Sequence, residues 1–366
     1  MSILFEPHAI GKLTLKNRFI KSSTAESMAG PDGEVTPAML DFYEATARGG
    51  VACIFLGHAF VHPLGKASPK MTGLHDDRLI PGLRSLGERI HRHDCYVFAQ
   101  INYGGSRVQK ECAEPVGPSP VVNPSTGLLA RELKSSEIRG IIDAFGRAAA
   151  RVREAGLDGI LIHGAHGYLV SLFTSPFTNH RTDEWGGDAS RRFRFLDEIY
   201  HSIRKAVGND YPVAIKLGAK DDMPDGLPLE EGAEVAARLA KAGIDGIEIS
   251  GGIATKTSGA SRSNILSIEQ EAYFLPYAKA IRPKVGRLPL SVVGGLRSPH
   301  LMEEIITAGW TDFVSLARPF ICEPDLVEKI RTGRWDPVSC TRDDRCRAGM
   351  GKEGLRCRRD ESPAAP

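Results

Sequence analysis

The sequence predicts an α/β fold, a (β/α)8 TIM barrel with long loops on its C-terminal face. Three observations support this fold: a helix–turn–strand phrase recurs, short apolar runs alternate with helical patterns, and the longest connections follow strands. Near-continuous apolar strands are typical of a parallel sheet covered by helices, and eight such runs predict closure into a barrel. An open doubly wound sheet would need an early glycine-rich dinucleotide fingerprint, which the first third of the chain lacks.

The recurring phrase supplies four of the strands. Residues 154–162 and 241–249 are near copies of each other, residues 307–315 are a looser copy, and residues 48–56 are looser still. Before the first copy, apolar residues from Ile138 to Val152 fall three and four positions apart, which is the stripe of an amphipathic helix. A glycine then takes the left-handed position that ends the helix, and an apolar run rich in β-branched residues follows at once.

The other four strands are the apolar runs at 18–22, 97–101, 213–217 and 290–293. Long segments follow three of the eight strands, at 102–134, 164–189 and 250–267. Loops of that length inside a compact domain usually carry function, and in a barrel they share the C-terminal face. The chemistry is therefore expected on that face.

The end of the chain is expected to lie outside the barrel. We predict residues 1–335 as the barrel, with a short helix over 324–332 near its end. Residues 336–366 form a tail rich in Arg and Cys, partly disordered or contacting a neighbouring subunit, and its last residues, 362–366, are expected to be disordered.

Composition excludes several classes of protein. Lys and Arg number 47 against 45 Asp and Glu, a net charge of +2 without long single-sign runs, which argues against nucleic-acid and membrane-surface proteins. The chain has neither an apolar stretch of membrane-spanning length nor a signal-peptide pattern at Met1–Glu6. Seven cysteines, an odd number, indicate thiols in a reducing compartment. We therefore expect a cytoplasmic protein.

Polar residues at the predicted strand ends should meet at the mouth of the barrel. They are Ser22, Ser23, Thr24, Gly57, His58, Gln100, His163, His166, Tyr168, Lys216, Ser250, Gly251, Gly294, Gly295 and Arg318. This set holds two cations and no carboxylate cluster, so it suits a ligand with an anionic end and a planar polar body better than a divalent metal. Gly294 and Gly295 allow backbone N–H groups to approach a phosphate, and Arg318 can pair with its oxygens.

The segment from His163 to Tyr168 is the most informative. Two imidazoles and a phenol just past a buried strand can hydrogen-bond a substrate oxygen and supply a proton. The two histidines could instead ligate a metal, but zinc sites normally recruit a third ligand nearby, and no obvious one is present. We therefore predict no metal site. The remaining alternative is that both histidines are merely hydrogen-bonded within the protein at the strand end and have no function.

Further motifs follow this segment in a fixed order. Residues 179–187 read NHRTDEWGG and residues 191–195 read RRFRF, while LKNR at 15–18 precedes the first strand and ARPFI at 317–321 follows the last. With these motifs the chain resembles the Old Yellow Enzyme family of flavin-dependent NADH:flavin oxidoreductases and ene-reductases. It looks like a short form, without the C-terminal iron–sulfur and nucleotide-binding extension of larger members.

The resemblance implies non-covalent FMN at the barrel mouth and assigns residues to it. The cofactor-binding residues would be Ser22, Ser23, Thr24, His58, Gln100, Lys216, Gly294, Gly295, Ala317 and Arg318. Thr24 would lie near a flavin carbonyl, Gln100 at the pyrimidine edge and Lys216 at the N1 region. Gly294, Gly295, Ala317 and Arg318 would hold the phosphate.

The resemblance also implies the reaction. NADH or NADPH would reduce FMN, and hydride would pass from flavin N5 to the β-carbon of an activated alkene, an α,β-unsaturated carbonyl compound or a related xenobiotic. His163 and His166 would bind the substrate oxygen, and Tyr168 would donate the proton. A homodimer or homotetramer is implied as well. An amine dehydrogenase or demethylase, and a flavin-binding barrel with little turnover, stay open as alternatives.

Four positions depart from the family pattern, so the substrate pocket is not inherited by default. Lys216 stands where Arg is frequent, Tyr103 where His is frequent, and Glu26 and Thr24 where a major bacterial subgroup has Tyr and Cys. In the tail, Cys340, Cys346 and Cys357 remain of a four-cysteine cluster motif, with Asp343 in place of another Cys. Because three thiols do not meet the four-cysteine requirement, we predict a remnant without a cluster.

Overall fold

A computed structural model describes residues 2–255, 261–340 and 343–361, and its centre is the predicted barrel. Eight parallel strands form it: β1 Phe19–Lys21, β2 Cys53–Phe55, β3 Tyr96–Asn102, β4 Gly159–Gly164, β5 Val213–Gly218, β6 Gly246–Ser250, β7 Leu290–Val292 and β8 Phe313–Leu316. Each strand pairs with the next, β8 pairs with β1, and the sheet closes. All eight strands lie where the apolar runs predict them, and the predicted (β/α)8 fold is confirmed.

Helices cover the outer face of this sheet. They include α1 Pro37–Arg48, α2 Ile80–His91, α3 Ser135–Glu154, α4 Ala189–Val207, α5 Leu229–Ala242, α6 Leu275–Val285, α7 Pro299–Thr307 and α8 Leu326–Arg331, and a further short helix, Leu169–Thr174, follows β4. The predicted stripe of α3 is buried from Ile138 to Val152. α8 lies inside the short helix predicted over 324–332. None of the helices formed by the described residues combines the length and apolar character needed to cross a lipid bilayer.

The recurring phrase has a structural explanation. Its glycine is left-handed in all four copies, with φ of +95° at Gly50, +81° at Gly156, +92° at Gly243 and +69° at Gly309. A residue with a Cβ is disfavoured in this conformation, so glycine ends each helix there.

The aspartate in three of the copies ties each strand to the one before it. Asp158 accepts a hydrogen bond from the N–H of Val97 at 2.8 Å. Asp245 and Asp312 do the same for Val213 and Leu290, each at 2.8 Å. The fourth copy has Ala52 at this position and lacks the bond. The aspartates therefore fix strand register at the N-terminal end of the barrel, opposite the mouth.

The motif at 179–187 serves the loops rather than the mouth. Asn179 donates from Nδ2 to the carbonyls of Phe173 and Trp185, each at 2.8 Å. Arg181 bonds both oxygens of Asp183 and donates to the carbonyls of Pro118 and Leu133. The motif thus joins the loop after β4 to the loop after β3.

The tail packs against the barrel over the part that the structure describes. Leu355 is buried, and its N–H donates to the carbonyl of Glu26 at 2.8 Å. Lys70 donates from Nζ to the carbonyl of Lys352 at 2.9 Å. The predicted disorder of 362–366 and part of the predicted loop 250–267, at 256–260, lie outside the described residues.

Candidate active site

The mouth of the barrel encloses a cavity of about 440 Å³. All the residues predicted for the site line it: Ser22, Ser23, Thr24, His58, Gln100, His163, His166, Tyr168, Lys216, Gly294, Gly295, Ala317 and Arg318. They come from the ends of seven strands, and closure of the barrel brings these ends together. The structure therefore joins all of these residues in one cavity, whereas Gly57 and Gly251, which the sequence also places at the mouth, are not among the lining residues.

His163, His166 and Tyr168 form a compact group at the end of β4. The ring centroids of His163 and Tyr168 are 4.7 Å apart, and those of His163 and His166 are 5.2 Å apart. His166 has a φ of +66°, a rarely populated conformation for a residue with a side chain. Its Nε2 lies 2.7 Å from Ser250 Oγ at the end of β6. A strained backbone, together with a hydrogen bond to a residue at the end of β6, places this imidazole at the cavity.

Burial keeps the imidazoles of this group neutral. Enclosure by protein lowers the pKa of both His163 and His166 well below the ordinary histidine value, and nearby cations, Lys216 and Arg107 among them, act in the same direction. Burial also lowers the pKa of His58 to about 3. A neutral imidazole has one N–H donor and one acceptor nitrogen. His163 Nδ1 is buried and has no partner among the described residues.

A contact with Asn102 on β3 determines which ring nitrogen of His58 carries the proton. Asn102 Nδ2 lies 2.9 Å from His58 Nδ1. Because an amide nitrogen only donates, Nδ1 must accept and Nε2 must carry the proton. His58 also packs against Tyr168, with ring centroids 4.9 Å apart.

Gln100 lines the cavity and presents a donor that has no partner among the described residues. Ser23 Oγ donates to Gln100 Oε1 at 2.6 Å, which leaves the amide nitrogen pointing elsewhere. Gln100 Nε2 is buried without a partner among the described residues, and so is Ser315 Oγ, which also lines the cavity. A buried donor of this kind costs about 1–3 kcal/mol unless something accepts from it, so it indicates a bound polar group.

Lys216 carries a positive charge at the floor of the cavity. Its Nζ lies 2.8 Å from Ser22 Oγ and 2.7 Å from Glu248 Oε2. Glu248 is 1% exposed, so the two charges compensate each other inside the barrel. The pair holds the ammonium group in a fixed place beneath the cavity.

Two glycines and an arginine form the far end of the cavity. An added Cβ on either Gly294 or Gly295 would lie 3.0 Å from the ring of Tyr273, and both residues have positive φ. Side chains are therefore excluded there, and the backbone borders the cavity directly. Arg318 Nη1 donates to Asp344 Oδ1 of the tail at 2.8 Å, and Nη2 donates to the carbonyl of Arg262.

Two of the departures from the family pattern do not line the cavity. Glu26 is buried behind it, where Thr72 Oγ1 donates to its Oε1 at 3.1 Å, and burial raises the pKa of this carboxyl. Tyr103 is also buried, and its ring stacks on His62 at 6.3 Å between centroids. Neither Glu26 nor Tyr103 is therefore placed to change the lining of the cavity directly.

The sequence reasoning missed several lining residues. Arg107, from a 3-10 turn after β3, lies with its Cζ 4.8 Å from the Tyr168 ring centroid and donates from Nη1 to the carbonyl of His166 at 2.7 Å. The tail adds the lining residues Asp344, Cys346, Arg347, Met350 and Leu355. None of these positions shows a periodicity or strand-end signal in the sequence.

The three tail cysteines adjoin a fourth. Cys340, Cys346 and Cys357 line a second, smaller cavity together with Cys322 at the end of a short helix. Burial raises the pKa of Cys322 to about 12 and that of Cys346 to about 11. Both are therefore protonated thiols near neutral pH rather than reactive thiolates.

Residues 3–336 match the NADH:flavin oxidoreductase / NADH oxidase family. Among curated proteins, an NADH oxidase of Thermoanaerobacter brockii is 37% identical over 99% of this chain and 56% of its own length. A cinnamate reductase of Clostridium sporogenes is 31% identical over 92% of this chain and 54% of its own length. The chain thus spans about half the length of these curated relatives.

Solved structures are similar as well. A 2-naphthoyl-CoA reductase superposes with a TM-score of 0.89 at 28% identity, over 95% of this chain and 55% of that one. An Old Yellow Enzyme homologue from Zymomonas mobilis superposes with a TM-score of 0.78 at 25% identity, over 91% of this chain and 94% of that one.

Proposed function

The chain belongs to the NADH:flavin oxidoreductase / NADH oxidase family, which uses FMN with NADH or NADPH, and from that premise we propose that it reduces activated C=C bonds. The substrate is an α,β-unsaturated carbonyl compound or a related electron-poor alkene. The observation that carries the proposal is the group formed by His163, His166 and Tyr168, with neutral imidazoles beside a phenol in one cavity. A cinnamate reductase among the relatives is consistent with a C=C substrate.

The residues of the cavity fit FMN. Gln100 Nε2, which has no partner among the described residues, would offer a donor to the polar edge of a planar ring, and Lys216 would supply a cation from the same cavity wall. Ser22, Ser23, Thr24 and His58 complete this part of the wall. At the far end the side-chain-free Gly294 and Gly295, with Ala317 and Arg318, would hold the phosphate. When bound, FMN would supply the hydride.

The two histidines would bind the substrate oxygen, and the tyrosine would donate the proton. His163 and His166, held neutral, donate hydrogen bonds to the substrate carbonyl oxygen and stabilise the negative charge that develops there. Tyr168 Oη then gives its proton to the α-carbon. Donors that are fixed before the substrate arrives need no reorganisation during the reaction.

Anaerobic stopped-flow absorbance of the holoenzyme tests this function. We expect NADH or NADPH to bleach the flavin band and 2-cyclohexenone to restore it. Bleaching by a secondary or tertiary amine instead would favour the amine dehydrogenase or demethylase alternative. Absence of bleaching by either kind of donor would favour a flavin-binding protein with little turnover and would overturn the proposal.

A further inference from the structure

Arg107 has no role in the proposed reaction, yet it lies at the catalytic end of the cavity. Its guanidinium stacks over the Tyr168 ring, 4.8 Å from the centroid, and Nη1 donates to the carbonyl of His166 at 2.7 Å. The stacking and the hydrogen bond fix the group beside both residues that would contact the substrate. Arg107 itself is half-buried and lines the cavity.

Of the other cations that line the cavity, Lys216 and Arg318 differ from Arg107 in their charge balance. Arg347, which likewise has no carboxylate within ion-pair distance among the described residues, differs from Arg107 in being exposed. Lys216 is compensated by Glu248 at 2.7 Å, and Arg318 by Asp344 at 2.8 Å. In the described ranges no carboxylate lies within ion-pair distance of Arg107, and Asp344 is the one carboxylate among the described lining residues. A partly desolvated arginine with no compensating charge attracts an anion from solution.

The groups around Arg107 leave it as a positive charge without a carboxylate partner among the described residues. The three neighbouring imidazoles, His58, His163 and His166, are neutral near pH 7 because burial lowers the pKa of each. They therefore donate hydrogen bonds without attracting an anion by charge. The Arg107 Nε and Nη2 donors, which bond nothing in the described part of the chain, form the fork that suits a carboxylate.

We propose that Arg107 is a specificity-determining residue that binds a carboxylate on the substrate, so that the preferred substrates are activated alkenes bearing an acidic group. This inference rests on the proposed function, because it assumes that the substrate carbonyl lies between His163 and His166. A carboxylate of the same molecule then reaches Arg107 next to them. The phosphates of NADH or NADPH are a second source of negative charge, and the experiment separates the two.

The test uses unreactive ligands, so that binding is measured without turnover. The FMN-loaded enzyme is titrated with benzoate and with the uncharged, nearly isosteric benzamide, and binding is followed by calorimetry. We expect benzoate to bind about tenfold or more tighter than benzamide, as a charged bidentate contact allows. Arg107→Met should abolish this preference by weakening benzoate alone, and Arg107→Lys should keep part of it.

A matched control removes a stacked arginine elsewhere. Arg238 lies over the Phe193 ring at 5.4 Å, outside the cavity, and Arg238→Met should leave both affinities unchanged. Equal weakening of benzoate and benzamide in Arg107→Met would overturn the inference, because Arg107 would then only support Tyr168. A wild-type enzyme without a preference for benzoate would overturn it too.

Kinetics of the two half-reactions complete the test. Reduction of the flavin by NADH and by NADPH should proceed at the same rates in Arg107→Met, whereas reoxidation by monomethyl fumarate should slow relative to dimethyl fumarate. Both alkenes keep an ester carbonyl for the histidines, and only the monoester carries a carboxylate for Arg107. Slower reduction by the nicotinamide cofactors instead would assign the anion site to their phosphates and overturn the substrate assignment. If the wild type reduces none of these alkenes while its Arg107-dependent preference for benzoate persists, the proposed function fails and the anion site stands.

Discussion

Tyr168 is the residue on which the proposed proton transfer depends. Replacing it with Phe removes the hydroxyl and keeps the ring that packs against His163 and His58. We expect Tyr168→Phe to slow alkene-dependent reoxidation of the flavin roughly 100-fold or more, as the loss of a general acid does. Flavin reduction by NADH or NADPH should stay nearly unchanged. Stopped-flow absorbance measures both half-reactions separately, and an equal loss in both would contradict the role.

The neutral state of His58 predicts a pH dependence of stability. Burial lowers its pKa to about 3, whereas the unfolded chain takes up this proton near pH 6.5. The unfolded state therefore binds more protons below pH 6.5. As the pH is lowered below 6.5, the contribution of this residue should decrease the free energy of unfolding by about 1.4 kcal/mol per pH unit. The decrease should end when the folded pKa is reached.

Denaturant unfolding between pH 7.5 and 5.5 checks this sign. His58→Gln should give a shallower pH slope than the wild type, by about half a proton on average over this range, because the unfolded residue takes up its proton progressively around pH 6.5. His201→Gln serves as the control, because His201 is an exposed residue on α4 with 64% of its side chain accessible. Wild-type and His58→Gln slopes that coincide would refute the buried neutral imidazole.

At this scale the sequence predicts residues at strand ends and misses residues on loops. Gln100, His163 and Lys216 follow from the barrel, because closure brings strand ends to one mouth. Arg107 does not, since its position depends on how a long loop turns back over Tyr168. For Glu26 the sequence shows only that the position departs from the family pattern, and the fold decides that its side chain accepts a hydrogen bond from Thr72.

Among the structural elements, the strands depend on the aspartates of the recurring phrase. Asp245 accepts from the backbone N–H of Val213, which is buried, and forms an ion pair with Arg204. Asp245→Ala leaves this N–H unpaired, so we expect a loss of about 1–3 kcal/mol in the free energy of unfolding. Denaturant titration measures the loss.

Asp210→Ala is the matched control. Asp210 pairs with Lys12 at the surface, where its side chain is 80% exposed, and exposed pairs contribute little. We expect a change of less than about 0.5 kcal/mol there. If Asp245→Ala were equally harmless, the role of the phrase in joining strands would be wrong.

The elements are predictable for a simple reason. A buried parallel strand is apolar on both faces, which makes it visible in the sequence. In three cases a left-handed glycine also precedes the strand, at Gly156, Gly243 and Gly309. The two short strands Val116–Gly117 and Arg131–Glu132, which pair with each other, have no such sequence pattern. Their pairing depends on contacts with the loop after β4, which arise only in the folded chain.

In the whole molecule, the tail forms part of the cavity wall. Leu355 is 1% exposed and borders the cavity. Leu355→Asp would bury a charge, which is unfavourable enough to detach the segment. We expect trypsin cleavage in the tail to accelerate about tenfold or more and FMN to dissociate faster. Limited proteolysis and flavin fluorescence measure the two effects.

Gly351→Asp is the matched control for Leu355→Asp, because it adds the same charge to the same segment at an exposed position with open space around it. It should behave like the wild type. A Leu355→Asp protein that keeps its flavin and resists trypsin would show that the tail does not close the cavity. The sequence does not predict this packing, because one apolar residue in an Arg-rich segment gives no periodic signal.

We propose that the barrel mouth binds FMN, with the phosphate held at Arg318. Titration of the flavin-free protein with FMN and with riboflavin, followed by flavin fluorescence, tests it most directly. We expect FMN to bind one per chain and about 10-fold to 100-fold more tightly than riboflavin, in line with charged hydrogen bonds to the phosphate. Arg318→Ala should abolish the difference and Asp344→Asn should retain it. Equal affinity for the two flavins, or no binding of either, would contradict the account.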